Sequence, residues 1–432
     1  MKHAFCETSI SETKGGFFQM KKIVGLLAAA AVLATSVFAA DVSAKVRVGG
    51  SIFEAAPAAN EKGDDATALK LFNADTISHT YDAPFATLTT STDNAGGTVK
   101  FVGDENGLKA GDVQVWFKPI DALKITAGSQ DFAMNKETIT WDNHDKRQAY
   151  GTYGYSLSFA QDAISVNVAL GTGDNGWFFE DPIAKYSSKE DPLAAYVRDL
   201  YANFAYGADF GTISAFFRYR GKSWEGVAEA AKGDTSKLKF NPTEINFGAA
   251  YKNTIDALTF FVNVIATTKS APSDKEKPFW KDATDKDGKP YAPFGLCVDA
   301  FVAYTADALT VKGFVQFDCA DFSHVNAKGD ADLVDNGSNT ALKVIARVDY
   351  KLDNGITLFG QFTDKNLLLK KKQGTDTDPT SVFISEIKAG ASGSVGIASW
   401  EAAVQFDTGK IGKDKKYDKV QISAPVWVQV AF

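Results

Sequence analysis

The stretch INFGAAYKNTIDALTFFVNVI, residues 245–265, decides the fold. After the corner Thr254-Ile255-Asp256-Ala257, the apolar residues Leu258, Phe260, Val262 and Val264 alternate with Thr259 and Asn263. Side chains on a strand point to opposite faces in turn, so this run has one apolar face and one polar face. Asp suits the corner because it tolerates tight backbone geometry and caps it with local hydrogen bonds. The segment reads as a β-hairpin.

The same unit returns along the chain. It occupies residues 114–130 (corner Pro119-Ile120-Asp121-Ala122), 155–170 (Gln161-Asp162-Ala163) and 201–220 (Ala208-Asp209-Phe210-Gly211). Further copies are residues 298–317 (Thr305-Ala306-Asp307-Ala308) and 342–362 (Leu352-Asp353-Asn354-Gly355). Residues 385–406 form another, with a Gly/Ser corner at 390–396. A first strand covers 45–52, two weaker strands lie near 85–90 and 98–103, and a last strand covers 420–432. The sum is about eighteen strands, or about sixteen without the weak pair, and single-chain barrels need an even number.

The connections alternate in length. Tight corners alternate with polar loops at residues 133–152, 172–200, 221–243, 267–296, 318–340 and 365–380. Irregular loops of that length are unusual inside a compact soluble domain. Transmembrane barrels show this asymmetry, with short periplasmic turns and long outer loops. Inside lipid no water satisfies a backbone amide, so a sheet there must close on itself. Each strand needs about nine to eleven residues to cross at a tilt, and these runs match. The expected fold is all-β: a transmembrane, antiparallel, up-and-down β-barrel of about 16–18 strands. Aromatic residues near strand ends, among them Trp116, Tyr155, Tyr206, Tyr251, Tyr304, Tyr350 and Trp427, fit interfacial girdles.

Composition agrees. The chain has 432 residues, a net charge of -7 and no composition break that would divide it. With a pI near 5.3 it is not expected to bind nucleic acid. Met20-Lys21-Lys22 opens a positive region, residues 23–37 are apolar, and Val37-Phe38-Ala39 fits a small-residue cleavage site. Residues 20–39 therefore read as a secretory signal peptide, cut after Ala39 or after Ala44. The other reading, a membrane-spanning anchor, needs a longer run of about 20 apolar residues. Residues 1–19 form an upstream extension, and 40–432 form a single barrel domain. The expected location is the outer membrane of a diderm bacterium.

Parity assigns the lumen. Lys45, Arg47, Gln114, Lys124, Arg218, Arg220, Lys312, Gln316, Lys343, Arg347, Asp349, Gln361, Glu401 and Gln405 fall on the polar face. Bases outnumber acids in that set, and rings of charge tune pore selectivity. The expectation is a mild anion preference led by Arg218, Arg220 and Arg347, unless carboxylates pair with these bases. A loop narrowing the pore would carry anchors, and Trp177, Phe178, Glu180 and Asp181 in loop 172–200 are the candidates. Cys297 and Cys319 sit at the far ends of one hairpin. In an oxidising compartment they form either a disulfide or two buried free thiols.

No catalytic constellation emerges. Asp282, Asp285, Asp287 and Gly288 lack the spacing and the closing Glu of a calcium loop. His144 stands beside Asp142 and Asp145 in a polar loop with no nucleophile motif. No metal site, cofactor or enzymatic activity is expected.

The chain ends Pro425-Val426-Trp427-Val428-Gln429-Val430-Ala431-Phe432, with Val426, Val428, Val430 and Phe432 on one face. This resembles the terminal strand of Gram-negative outer-membrane porins. In style the chain is also similar to porin-type outer-membrane proteins of spirochaetes. The resemblance implies passive diffusion of small hydrophilic solutes, often through trimers, with a loop folded into the pore. It implies that the last strand, through Trp427 and Phe432, is the signal read by the barrel assembly machinery, and that the partner surface is outer-membrane lipid. The alternative is a surface-exposed adhesin or ligand-binding protein whose barrel displays its loops.

Overall fold

The computed structural model describes residues 41–59, 65–73, 85–104, 107–133, 149–171, 199–225, 239–270, 294–319, 340–364, 367, 385–410 and 419–432. These form strands and turns, with no helix among the described residues. The strands are β1 (Asp41–Ala59), β2 (Asp65–Asn73), β3 (Phe85–Ser91), β4 (Ala95–Asp104), β5 (Gly107–Ile120), β6 (Leu123–Ala133) and β7 (Ala149–Gln161). Next come β8 (Ile164–Gly171), β9 (Asp199–Ala208), β10 (Gly211–Arg220), β11 (Ser223–Glu225), β12 (Lys239–Asn241), β13 (Glu244–Ile255) and β14 (Leu258–Lys269). The rest are β15 (Phe294–Ala306), β16 (Leu309–Cys319), β17 (Thr340–Lys351), β18 (Thr357–Asp364), β19 (Ser385–Val395), β20 (Ala398–Lys410) and β21 (Lys419–Ala431).

Leaving aside β2, β11 and β12, each strand pairs antiparallel with the next, β1 with β3 and β10 with β13 included, and β21 pairs with β1, so the sheet closes. One sheet holds 19 strands; β2 pairs only with β1, which leaves a ring of 18. The weak pair, β3 and β4, belongs to that ring. Two features were not anticipated. β2 forms inside the polar stretch that follows the first strand and runs beside the far half of β1. β11 and β12 make a small separate ribbon beyond β10 and β13. Residues 1–39, where a signal peptide and an upstream extension are expected, lie outside the described residues.

The short corners gather at one end. Asp162, Asp256 and Asp307 adopt φ of 51°, 50° and 49°, the left-handed backbone region that Asp tolerates better than most residues. The Ala after each of these Asp residues leaves its carbonyl to the following strand. Gly207 N donates to Ala163 O at 2.8 Å, Thr305 N to Ala257 O at 3.0 Å, and Lys351 N to Ala308 O at 2.8 Å. The rim is thus hydrogen-bonded to its last residue, as a sheet leaving water requires. The two ends of the described chain, Asp41 and Phe432, lie at this same end.

The outer face is apolar and uncovered. Val115, Leu157, Phe204, Phe217, Phe247, Val262, Val302, Val348, Phe362, Val404 and Val428 all stand exposed there. An uninterrupted belt of large apolar side chains around a closed barrel far exceeds the patch a soluble monomer exposes. Facing lipid it costs nothing, and facing water each such side chain would forfeit about 1.5–3 kcal/mol of burial.

Candidate functional site: the inner wall

The lumen wall is fixed by register. Arg218 stands opposite Asn246 and Tyr201; Lys312 stands opposite Arg347, which stands opposite Gln361, then Lys388, then Gln405. Arg47 stands opposite Gln429 and Phe85, and Lys45 opposite Thr87. All these residues lie on the face opposite the exposed apolar belt. So do the remaining sequence-assigned lining positions: Gln114, Lys124, Arg220, Gln316, Lys343, Asp349 and Glu401. Trp177, Phe178, Glu180 and Asp181 lie outside the described residues, as do the acidic loop at 282–287 and His144.

On the β9–β14 side of the wall, the bases are held by acids. Arg218 donates from Nε to Asp199 Oδ1 at 3.1 Å and from Nη2 to Oδ2 at 2.7 Å, a bidentate fork. Arg220 reaches Glu244 at 3.5 Å and Asp199 at 4.0 Å, and Lys269 reaches Glu244 at 3.5 Å. The β16–β20 side repeats the pattern. Lys312 meets Asp349 at 3.0 Å, Arg347 meets it at 2.8 Å, and Lys388 meets Glu401 at 2.8 Å. The three arginines expected to lead an anion preference are therefore all paired. Their partners come from the wall itself: Asp199 and Glu244 open strands β9 and β13, in stretches whose sequence reads as the ends of long loops.

A second arc differs. On β1, β4, β5 and β6 the bases sit over aromatic rings, as Arg347 and Lys388 also do over Phe359, but among the described residues no acid is paired with Lys45, Lys118 or Lys124. Lys45 and Lys100 flank the Phe85 ring at 5.8 and 5.2 Å, Arg47 lies 4.3 Å from the Trp427 ring, and Lys118 and Lys124 lie 5.8 and 5.1 Å from Trp116. Trp116 can lie flat there because its neighbour across the ladder is Gly96; a Cβ at that residue would meet Trp116 Cζ2 at 2.6 Å. Trp116 and Trp427 thus point inward and are not part of the lipid-facing girdles. Phe432, by contrast, is exposed on the outer face.

The inner wall also carries apolar groups that the alternation pattern did not single out. Phe261, Phe301, Phe314 and Ile345 stand directly opposite one another on β14–β17, all buried, with Phe261 and Phe301 stacked at 5.5 Å. A second cluster joins Ala169, Tyr201, Phe216, Ile265 and Cys297, with Phe132 against it. Phe132 stacks on Tyr201 at 6.1 Å and Tyr201 on Phe216 at 6.2 Å. Small residues open the space. A Cβ on Gly248 would meet Phe216 Cε1 at 2.7 Å, so the ring lies over that glycine. The expectation of a purely polar interior is corrected: the wall is polar with two apolar inlays.

The disulfide alternative is also corrected. Cys319 pairs with Leu296 and Cys297 with Asp318, so the register does not set the two cysteines opposite one another. Cys297 is a buried free thiol. Its Sγ donates to Asp299 Oδ1 at 3.3 Å and accepts from Gln316 Nε2 at 3.6 Å. No group of His, Cys, Asp and Glu among the described residues has the arrangement of a metal site.

No family model matches the chain, and no curated protein matches it. Among solved structures, the chain is similar to OmpT, an outer membrane protein of Vibrio cholerae, with TM-score 0.46 and 9% identity over 91% of this chain and 97% of that one. It is similar to the outer membrane channel DcaP of Acinetobacter baumannii, with TM-score 0.45 and 12% identity over 91% and 97%. A third is an anion-selective porin from Comamonas acidovorans, with TM-score 0.43 and 10% identity over 91% and 100%. Likenesses this distant carry no inference about function. The barrel reading rests on the chain's own strand register.

Proposed function

We propose that the chain is an outer-membrane porin that lets small hydrophilic solutes and ions diffuse passively through its lumen. One observation carries the reading: a closed ring of 18 strands turns an apolar belt outward and its charged side chains inward. A ring that large encloses an interior wider than side chains alone can fill. In the same reading, residues 20–39 export the chain and the final strand is offered to the assembly machinery. The short corners face the periplasm, and loop 172–200 narrows the pore. The barrel sits in the outer membrane of a diderm bacterium, spirochaete-like in sequence style, and porins of this kind often assemble as trimers. On the β9–β14 and β16–β20 sides of the wall, acids and bases neutralise one another.

Refolded protein in liposomes tests this directly. Swelling in small sugars, and stepwise conductance in planar bilayers, are the expected results. Liposomes that stay tight while the protein still binds an external ligand would move it to the display reading.

A further inference from the structure

We infer that ion selectivity is set on one side of the lumen, by Lys45, Lys118 and Lys124, with Lys100 beside them partly offset by Asp112, and that small anions are drawn along this side. This rests on the porin reading and deepens it. The argument is a contrast between the two kinds of base on one wall. A base forked into a carboxylate presents a dipole to a passing ion, and the field of a dipole dies quickly with distance. A base resting on an aromatic ring keeps its full charge, because the ring supplies a quadrupole and no countercharge.

Among the paired bases, the Arg220 and Lys269 side chains are exposed, at 45% and 40%, and both are held by Glu244. The Arg218 and Lys388 side chains are each only 6% exposed and locked in pairs. Lys45 is exposed, and Lys100, Lys118 and Lys124 are half-exposed. Among the described residues, no carboxylate lies within ion-pair reach of Lys45, Lys118 or Lys124. The acids sharing this arc are few. Asp112 sits 3.8 Å from Lys100, itself largely exposed, and Asp41 stands at the tip of β1. Asp93 occupies the β3–β4 turn and Asp121 the turn between Lys118 and Lys124, both exposed, and Glu54 is buried higher on β1. Lys118 and Lys124 flank the turn at the short-corner end, while Lys45 and Lys100 stand further in, beside Phe85. Together they make a basic track from that mouth towards the middle of the barrel. In dilute salt such a track acts over about a Debye length, ~10 Å at 0.1 M. Its ligand class is the small anion, chloride or inorganic phosphate, held only long enough to be passed on.

The test is reversal potential in a KCl gradient, using the refolded full-length barrel in planar bilayers. The unsubstituted protein is expected to favour chloride. Lys118→Glu with Lys124→Glu is expected to lower the chloride-to-potassium permeability ratio by about fivefold, and the Gln pair by about twofold. Replacing Arg218 by Gln and Asp199 by Asn together is expected to leave the ratio unchanged, because that removes one base and one acid. A conducting channel that prefers potassium, or one whose ratio ignores the Glu and Gln pairs, overturns the inference and leaves the porin reading standing. Protein that inserts and never conducts overturns the porin reading itself, and the inference falls with it. Should the Glu pair fail to refold, the Gln pair alone decides by the same measure.

Discussion

The claim with the widest consequences is that adjacent residues on one strand see opposite solvents, and β8 tests it. Its outward residues are Ile164, Val166, Val168 and Leu170; Val168 is 37% exposed, beside Leu157 and Ala202. Those four positions span about 20 Å of strand, or ~14 Å along the membrane normal at the usual tilt, well inside an apolar band of about 25 Å. Val168 is therefore near the middle. Val168→Arg is expected to cost about 2–4 kcal/mol, the penalty for a base at the midplane. Its neighbour Asn167 faces inward, donating from Nδ2 to Asn203 Oδ1 at 2.7 Å. Asn167→Arg loses that bond, worth about 1 kcal/mol, and gains a charge in water. Guanidinium titration of barrels refolded in vesicles, followed by tryptophan fluorescence, measures both. The Val168 variant should unfold at clearly lower denaturant. Equal losses, or a larger loss at Asn167, would mean that the outward face is not in lipid.

Three further outcomes follow from the wall. Asp199→Asn removes the carboxylate forked by the buried Arg218 guanidinium, so it should destabilise the barrel by about 3–5 kcal/mol, whereas adding Arg218→Gln should recover much of that; the same titration reads both. Cys297 should resist maleimide until the barrel unfolds, and reductant should leave gel mobility unchanged, since no bond joins it to Cys319. Gly248→Val pushes into the Phe216 ring and the neighbouring β14 backbone, and should cost about 1–3 kcal/mol, seen as a lower melting temperature.

How much of this was legible depends on which physical signal each feature writes into the chain. Alternation and Asp corners are local, so the strands of the ring could be read directly, down to the weak pair at β3 and β4, while β2, β11 and β12 could not. Register is less forgiving. Cys297 and Cys319 look equidistant from the Asp307 turn, yet the ladder pairs Cys319 with Leu296, one residue away, and does not set the two opposite one another. The apolar inlays hide in doublets. Phe260-Phe261 and Phe216-Phe217 each send one ring out and one in, and the outward ring satisfies the pattern that the eye seeks. Strict counting from Thr259 and Asn263 places Phe261 inside. The ion pairs were hidden for a different reason. Asp199 meets Arg218 only across β9 and β10, and nothing in one strand's sequence says where its neighbour's carboxylate stands at that height.

The seam shows why a barrel of this kind has to be completed rather than merely extended. Until β21 meets β1, the sheet has two open edges, and an open edge in hydrocarbon leaves a row of unpaired amides. Closure removes both edges in one step, so the seam must select a single register. Several contacts do so together. Phe432 N donates to Ala44 O at 2.8 Å and Ala44 N to Phe432 O at 3.3 Å, pinning the end of the chain to β1. Arg47 lies over Trp427, across the same two strands. Between Ser51 and Glu54 the ladder shifts, and Ser51 Oγ fills the gap, accepting from Ala424 N at 3.1 Å and donating to Phe53 O at 2.5 Å. A slip of one residue would carry Trp427 into lipid, bring Val428 over Arg47 and leave Ser51 without its amide. The seam thus lies on the basic arc: Arg47, which helps to select the register, shares β1 with Lys45.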